Sequence, residues 1–163
     1  MPASRLLSAG TFSYETLQFP ADTSLPMSTV LSENDGLVVK TIAVNHGPVL
    51  ALAYRIEYKG KSITYSGDTT SATDNMITLA QGTDLLIYDT AIMDDTPLPF
   101  INVDTTPTRI GEVAVASGAK TLLLSHITGI TEPRRPEIKR IIRKQGFTGR
   151  LRVAYDLQVI NLH

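Results

Sequence analysis

The chain has 163 residues, of which 42% are hydrophobic and 19% charged, a balance that fits one globular domain and excludes a disordered or fibrous chain. The formal net charge of −1 excludes an overall electrostatic attraction to nucleic acid or to an anionic membrane. Cysteine is absent, which excludes disulfides and thiolate ligands, so a metal ion would have to be bound by His, Asp or Glu.

The first part of the chain is predicted to be rich in strands. Residues 1–36 have no sustained hydrophobic period, so we predict an irregular lead segment with at most one short strand. The segment LVVKTIAV is rich in β-branched residues and predicts a strand over 37–44, and the turn sequence NHGP separates it from another predicted strand over 49–58. The turn sequence KGK then predicts a hairpin to the strand SITYS.

Strands and helices alternate from Ser62 to the C-terminus. A capping box at Ser71 and Asp74 predicts a first helix over 72–81, and a cap at Thr106 followed by Pro107 predicts a second. The segment EPRRPEIKRIIRKQG predicts a third helix, because its isoleucines recur on one face. The intervening predicted strands are 84–90, KTLLLSH and RLRVAYDLQVINL. The alternation predicts an α/β layered domain, and we expect residues 1–163 to form a single domain.

Directly after three of the predicted strands stand residues of types that bind metal ions. They are His46, Asp68 and His126. Reactive groups of open α/β sheets collect beyond the carboxyl ends of strands, so these side chains can converge although they are far apart in sequence. Zinc accepts imidazole nitrogen and carboxylate oxygen, which makes the set chemically coherent.

Simpler interpretations of the same residues remain open on the sequence pattern. Asp68, followed by Thr69, Thr70 and Ser71, has about even odds of being a turn acid near a helix N-terminus. His46 before Gly-Pro fits a turn, and for a lone histidine such as His126 a structural role is the more frequent one.

Three segments in this order resemble the second half of metallo-β-lactamase-fold hydrolases, in particular the arylsulfatase-like and ribonuclease Z-like branches. They are VNHGPVLALAYRIEYKGKSITYSGDTT, GTDLLIYDTA and ASGAKTLLLSHI. The resemblance implies that residues 37–163 form half of an αββα sandwich, a mixed sheet with helices packed on one face. It also implies zinc or another divalent metal ion as cofactor, used to convert water into a nucleophile.

The resemblance assigns roles to the three candidate ligands. His46 corresponds to the third histidine of the family's first metal site, Asp68 to the aspartate that bridges two metals, and His126 to the last histidine of the second site. Asp89 and Asp104 stand where related sequences have other residues, and we predict that they support the metal ligands from behind. No catalytic residue is assigned.

The chain also departs from the family pattern. The family's His-x-His-x-Asp-His segment is absent, and the three histidines, with His163 as the third, are fewer than the five of a complete two-metal site. Tyr88-Asp89 replaces a His-Glu pair of the ribonuclease Z-like branch, and Asp104 replaces a histidine. Because a solvated aspartate is ionised at neutral pH and is a poor proton donor, ribonuclease activity does not follow from the sequence.

Three functions compete at this point. The first is a metal-dependent hydrolase whose missing ligands come from a complementary subunit. The second is a truncated, non-catalytic half-fold that binds or oligomerises through its uncovered sheet face, which predicts a homodimer or other homo-oligomer. The third, an unrelated phosphate-handling α/β protein with magnesium at Asp68, leaves both histidines unused and ranks last.

Partners and compartment are predicted from what the sequence lacks. Eight basic residues lie between Glu132 and Arg152. Since no aromatic residues interleave with them, they favour a solvated helix face over a phosphate-binding surface, and we do not expect nucleic acid as a partner. No segment resembles a signal peptide, and no apolar run approaches the roughly 18 residues of a membrane span. We therefore expect a soluble, cytoplasmic protein with no membrane partner.

Overall fold

Seven strands form one mixed sheet in the computed structural model of the chain, which describes residues 16–162. The strands are β1 (Ser28–Ser32), β2 (Val38–His46), β3 (Val49–Tyr58), β4 (Lys61–Tyr65), β5 (Leu85–Asp89), β6 (Thr121–Ser125) and β7 (Arg150–Val153). They lie side by side in chain order, antiparallel from β1 to β4 and parallel from β4 to β7. The predicted mixed sheet and α/β fold class are thereby confirmed.

Strand direction brings the ends of β2, β4, β5 and β6 to the same edge of the sheet. Both β2 and β4 are antiparallel to β3, so they run in the same direction, and β5 and β6 are parallel to β4. The predicted hairpin joins β3 to β4 through Lys59 and Gly60, both with positive φ, as a two-residue turn of this hand requires.

The helices are α1 (Asn75–Leu79), α2 (Pro107–Ala116) and α3 (Arg135–Lys144), with single 3₁₀ turns at Phe100–Asn102 and Glu132–Arg134. All three helices pack on one face of the sheet, because their buried side chains share one apolar cluster with alternate strand residues. The cluster includes Met76 and Leu79 of α1, Ile110 and Val113 of α2, Ile138 and Ile142 of α3, and Ile42, Leu86 and Leu122 of the strands. None of the helices within residues 16–162 is long and apolar enough to cross a membrane.

The opposite face of the sheet is largely uncovered at β3 and β4. Alternation along β3 directs Arg55 to the helix side, where its Nη1 donates to the Leu79 carbonyl, and directs its neighbours Tyr54 and Ile56 to the other side. Tyr54 is paired with Tyr65, and the two side chains are 38% and 46% exposed. We call this surface the open face.

Two element predictions differ from the structure. The predicted capping box at Ser71 and Asp74 is wrong. Helix α1 begins only after Asp74, whose side chain makes no capping hydrogen bond. Ser71 has a φ of +52°, which lies outside the right-handed helical region. The predicted C-terminal strand is shorter, because β7 ends at Val153 and the chain beyond it is irregular. The lead segment contains one strand, β1, while its first 15 residues and His163 lie outside the described part of the chain.

Candidate metal centre

Strand ends bring five acidic and imidazole side chains to one edge of the sheet. His46 is the last residue of β2, Asp89 is the last of β5, and His126 directly follows β6. Asp68 follows β4 after a two-residue turn. Asp104 comes from the connection before α2, and its Oδ1 lies 3.9 Å from Nδ1 of His46. The side chains therefore form a continuous row from β2 to β6.

The tightest group in this row consists of Asp68, Asp89 and His126. Nδ1 of His126 lies 3.2 Å from Oδ1 of Asp68 and 2.9 Å from Oδ1 of Asp89. One ligand atom from each residue falls within 4.8 Å of the other two. A single ring nitrogen carries at most one proton, so it cannot make a full hydrogen bond to both carboxylates.

Asp89 is the most unusual of these groups, because it is a carboxylate buried without hydrogen bonds. Its side chain is 2% exposed, and neither oxygen has a hydrogen-bond partner among the described residues. Burial, together with the negative charges of Asp104 and Asp68, raises the pKa of Asp89 from 3.8 to about 8. A buried carboxyl in this state needs either a proton or a cation.

His46 and Asp104 form the other end of the row. Nδ1 of His46 lies 2.6 Å from the Val103 carbonyl, which can only accept, so Nδ1 carries the proton and Nε2 of the neutral ring keeps its lone pair. Oδ1 of Asp104 is buried without a hydrogen-bond partner in the described chain. An imidazole that donates one N–H to a backbone carbonyl is the usual state of a metal-binding histidine.

The backbone has a positive φ at His126 and at Gly67, the residue before Asp68. For His126 the φ of +53° costs about 1 kcal/mol or more, and the surrounding structure has to hold it in place. Gly67, just before Asp68, has a φ of +59°, and a Cβ there would lie 3.2 Å from the Leu52 carbonyl oxygen. Glycine is therefore required for the turn that delivers Asp68.

Hydrogen bonds tie the segments of the site to one another. The Thr70 amide donates to the Asn45 carbonyl at 2.7 Å, which connects the Asp68 loop to the end of β2. The Asp89 amide donates to Oγ of Ser66 at 3.0 Å. Oγ of Ser125 donates to the Tyr88 carbonyl at 3.0 Å, which connects the ends of β5 and β6. The site is thus anchored on strand ends.

The donor set fits a divalent ion. Ligand atoms about 2.1 Å from an ion lie roughly 3 to 3.4 Å from one another, which is the separation found around Nδ1 of His126. Three carboxylates face only two imidazoles, so the cluster has an excess of negative charge that a cation would neutralise. The buried oxygens of Asp89 and Asp104 without hydrogen bonds support the same assignment.

The structure gathers the predicted residues but arranges them differently from the prediction. Asp68 and His126 are in contact, as expected, whereas His46 lies outside their group and beside Asp104. Asp89, predicted to act from behind the ligands, is itself in the group. Its position at the end of a predicted buried strand is the sequence signal that identifies it. The ligand roles of all five residues stay predictions.

The fold and the site together define an α/β protein in which carboxylates and imidazoles meet at the edge of the sheet where β2, β4, β5 and β6 end. The family described as "Beta-lactamase superfamily domain" matches residues 12–127. The chain therefore belongs to this superfamily, in its metallo-β-lactamase form.

Individual relatives agree with the family match. Ribonuclease Z of Mycobacterium tuberculosis (strain H37Rv) is 28% identical over 140 residues, covering 80% of this chain and 50% of the relative. The crystal structure of the short form of human tRNase Z has a TM-score of 0.66 and 21% identity, over 88% of this chain and 49% of that one. The metallo-beta-lactamase fold protein YhfI from Bacillus subtilis has a TM-score of 0.62 and 24% identity, over 78% and 49%.

The matches cover only part of each relative. The chain spans about half the length of most of the curated relatives that it matches. A lineage of metal-dependent hydrolases with an incomplete metal site on this chain, as predicted, agrees with these comparisons.

Proposed function

We propose that the chain contributes part of the metal centre of a metal-dependent hydrolase. His46, Asp68, Asp89 and His126 would hold the ion, Asp104 would help to offset the positive charge of the ion, and the missing ligands would come from another polypeptide. The observation that carries the proposal is Asp89, a carboxylate that is 2% exposed, lies 2.9 Å from the imidazole of His126 and accepts no hydrogen bond of good geometry on either oxygen. A purely structural aspartate at this depth would have well-aligned donors in place.

An ion bound at this edge would supply Lewis-acid chemistry, activating water and polarising the bond to be cleaved. The protein's own residues have separate tasks. The carbonyl of Val103 holds His46 in the tautomer with a free Nε2. The 44% exposure of the Asp68 side chain and the 48% exposure of the His126 side chain leave the centre open to a substrate. Zinc is the first candidate, because the donors are nitrogen and oxygen in a mixed set.

A phosphodiester is the substrate class we propose. The support comes from the curated relatives named ribonuclease Z, at 28% and 31% identity. The charges at the site add a condition: three carboxylates would repel a phosphate unless a cation neutralises them. Hydrolysis should therefore depend strictly on the metal.

The test combines metal content and activity. The purified chain, loaded with zinc and desalted, is analysed by elemental mass spectrometry beside Asp68→Asn and beside a control, Asp156→Asn, which changes an exposed acid away from the site. Zinc should remain bound to the control and be lost from Asp68→Asn. Cleavage of bis(p-nitrophenyl) phosphate is expected only once the complementary polypeptide is added. A chain that retains no zinc after loading would refute the proposal.

The open face favours a second candidate function, a non-catalytic module that oligomerises. Leu50 is 81% exposed, and Tyr54, Ile56 and Tyr65 lie near 40% exposure on the same side of neighbouring strands. Exposed apolar surface of this kind marks an interaction site. We expect a homodimer in sedimentation velocity at micromolar concentration, converted to monomer by Ile56→Glu. A wild-type protein that sediments as a monomer would count against this candidate.

A further inference from the structure

Three buried hydroxyl groups, next to acids of the candidate metal centre in the sequence, form a connected chain. Tyr88, Ser71 and Thr105 are 0%, 3% and 0% exposed. The hydroxyl of Tyr88 bonds Oγ of Ser71, which in turn lies 3.1 Å from Oγ1 of Thr105. Oγ1 of Thr105 then bonds the carbonyl of Thr69.

The last bond fixes the direction of the whole chain. The Thr69 carbonyl can only accept, so the single proton of the Thr105 hydroxyl points to it. Thr105 must therefore accept from Ser71, and Ser71 must accept from Tyr88. The Tyr88 hydroxyl is therefore the first donor of the chain.

Three residues of this hydrogen-bonded path are sequence neighbours of acids of the site. Thr69 follows Asp68, Tyr88 precedes Asp89, and Thr105 follows Asp104. These pairs lie in three segments that are far apart in sequence, and the hydroxyl chain connects the three segments. Ser71, at its centre, has a φ of +52°, and its carbonyl accepts from Nε of Arg109 at 3.0 Å.

A core built only for stability would not require this arrangement. Phenylalanine and valine match tyrosine and threonine in shape and need no partners, whereas buried hydroxyls are costly unless every one is satisfied. The three hydroxyls satisfy one another and a backbone carbonyl in one connected path. Connected polar networks of this kind fix a single geometry, which a site made of mutually repelling carboxylates needs.

We propose that the hydroxyl chain Tyr88–Ser71–Thr105 positions the carboxylates of Asp68, Asp89 and Asp104 for metal binding. The proposal rests on the metal-binding function proposed above and identifies the residues that set the affinity of the site. They are positioning residues, since they act through the acids and touch no substrate. Hydrogen bonds made directly to metal ligands are worth about 10- to 100-fold in affinity, and because these hydroxyls act through the neighbouring backbone we expect an effect at the lower end of that range.

The test uses substitutions that differ only in the hydroxyl. Thr105→Val removes it at constant shape, Thr105→Ser keeps it, and Tyr88→Phe removes only the first donor. Thr64→Val is the matched control, because Oγ1 of Thr64, equally buried, donates to Oγ1 of Thr83 away from the site. Zinc dissociation constants are measured by calorimetric titration, and Co²⁺ absorption spectra report the ligand geometry.

The expected order follows from the direction of the chain. Thr105→Val should weaken zinc binding about tenfold or more, because it removes the donor to the Thr69 carbonyl and the acceptor of Ser71 together. Tyr88→Phe should have a smaller effect, and Thr105→Ser and Thr64→Val should stay within about twofold of the wild type. A Thr105→Val protein that binds as tightly as Thr105→Ser would overturn the proposal.

Hydrogen exchange separates this inference from the proposed function. If the wild type binds no zinc, the metal-binding proposal fails, and the positioning role is then judged on the metal-free protein. Amide exchange in residues 66–71 and 104–106 should be faster in Thr105→Val than in Thr64→Val and should return to the wild-type rate in Thr105→Ser. Equal exchange in all of these variants would refute the positioning role.

Discussion

Replacement of Asp89 by asparagine should stabilise the metal-free protein, and increasingly so as the pH rises. The carboxyl group of Asp89 is buried, has no hydrogen bonds and faces Asp104 and Asp68, which together raise its pKa from 3.8 to about 8. Between these two values the folded protein holds a proton that the unfolded chain has released. Because the folded state binds more protons there, the free energy of unfolding falls as the pH rises.

The size of the effect follows from that interval. Each pH unit changes the free energy of unfolding by about 1.4 kcal/mol while the folded carboxyl is protonated and the unfolded one is ionised. At pH 7 the cost of Asp89 is therefore at most about 4 kcal/mol, and about 3 kcal/mol of it arises between pH 5 and pH 7. Asparagine is neutral throughout but leaves a buried amide that costs about 1–3 kcal/mol itself, so the two proteins should be similar near pH 5.

Urea unfolding at pH 5, 6, 7 and 8 with a chelator present measures the effect. The control is Asp84→Asn, at an acid whose pKa is lowered, chiefly by the hydrogen bond from Nζ of Lys120 at 2.7 Å. A lowered pKa stabilises the folded state above the unfolded value, so the control should be less stable than the wild type across this range. The two substitutions should thus change stability in opposite directions.

A difference between Asp89→Asn and the wild type that does not grow between pH 5 and pH 7 would refute the reasoning. It would show that Asp89 is ionised in the folded protein at low pH even without metal, and hence that a group of the protein itself already compensates it. The case for a metal at this position would then lose its main support.

Three further predictions concern the core, the helix packing and the ion. Ile142→Ala should lower the free energy of unfolding by about 2–5 kcal/mol in urea titrations, since Ile142 lies on the buried side of α3 and is fully buried. Gly111→Ala should lower it by about 1–3 kcal/mol, because the added Cβ would lie 2.7 Å from the Gln145 side chain and 3.1 Å from Cα of Ile142. His46→Ala should weaken zinc binding about tenfold in calorimetry, and unchanged affinity would exclude His46 as a ligand.

Strand direction explains why the position of the site could be predicted from the sequence. His46 ends a strand, Asp68 and His126 follow strands, and these strands run in the same direction, so their ends meet at one edge. The hairpin and helix α2 could also be predicted, because the residues that indicate them are local in the sequence. The hairpin is indicated by its Lys59-Gly60 turn, and α2 by Thr106 and Pro107 at its start. Thr106 accepts the hydrogen bond from the Arg109 amide that a capping residue should accept.

The remaining features depend on contacts that the local sequence does not contain. The Ser71 and Asp74 pattern predicts a capping box, but the Ser71 hydroxyl is taken up by Tyr88 and Thr105, which are 17 and 34 residues away. The chain beyond Val153 has the composition of a strand, but it leaves the sheet there. The membership of Asp89 in the tight group follows from the pairing of Asp89 with Ser125, which places it beside His126.

The site and the open face impose two separate requirements on this protein. The five acids and imidazoles all come from residues 46–126, so their excess negative charge exists whether or not another polypeptide covers the sheet. The apolar side chains of the open face, such as Tyr54 and Tyr65, are exposed to water whether or not an ion is bound, and only a covering surface would bury them. A cation should therefore stabilise a monomeric Ile56→Glu protein as much as it stabilises the wild type. If zinc stabilised only the oligomer, the ligands would have to be shared between chains, and the site would be an interface rather than a property of one chain.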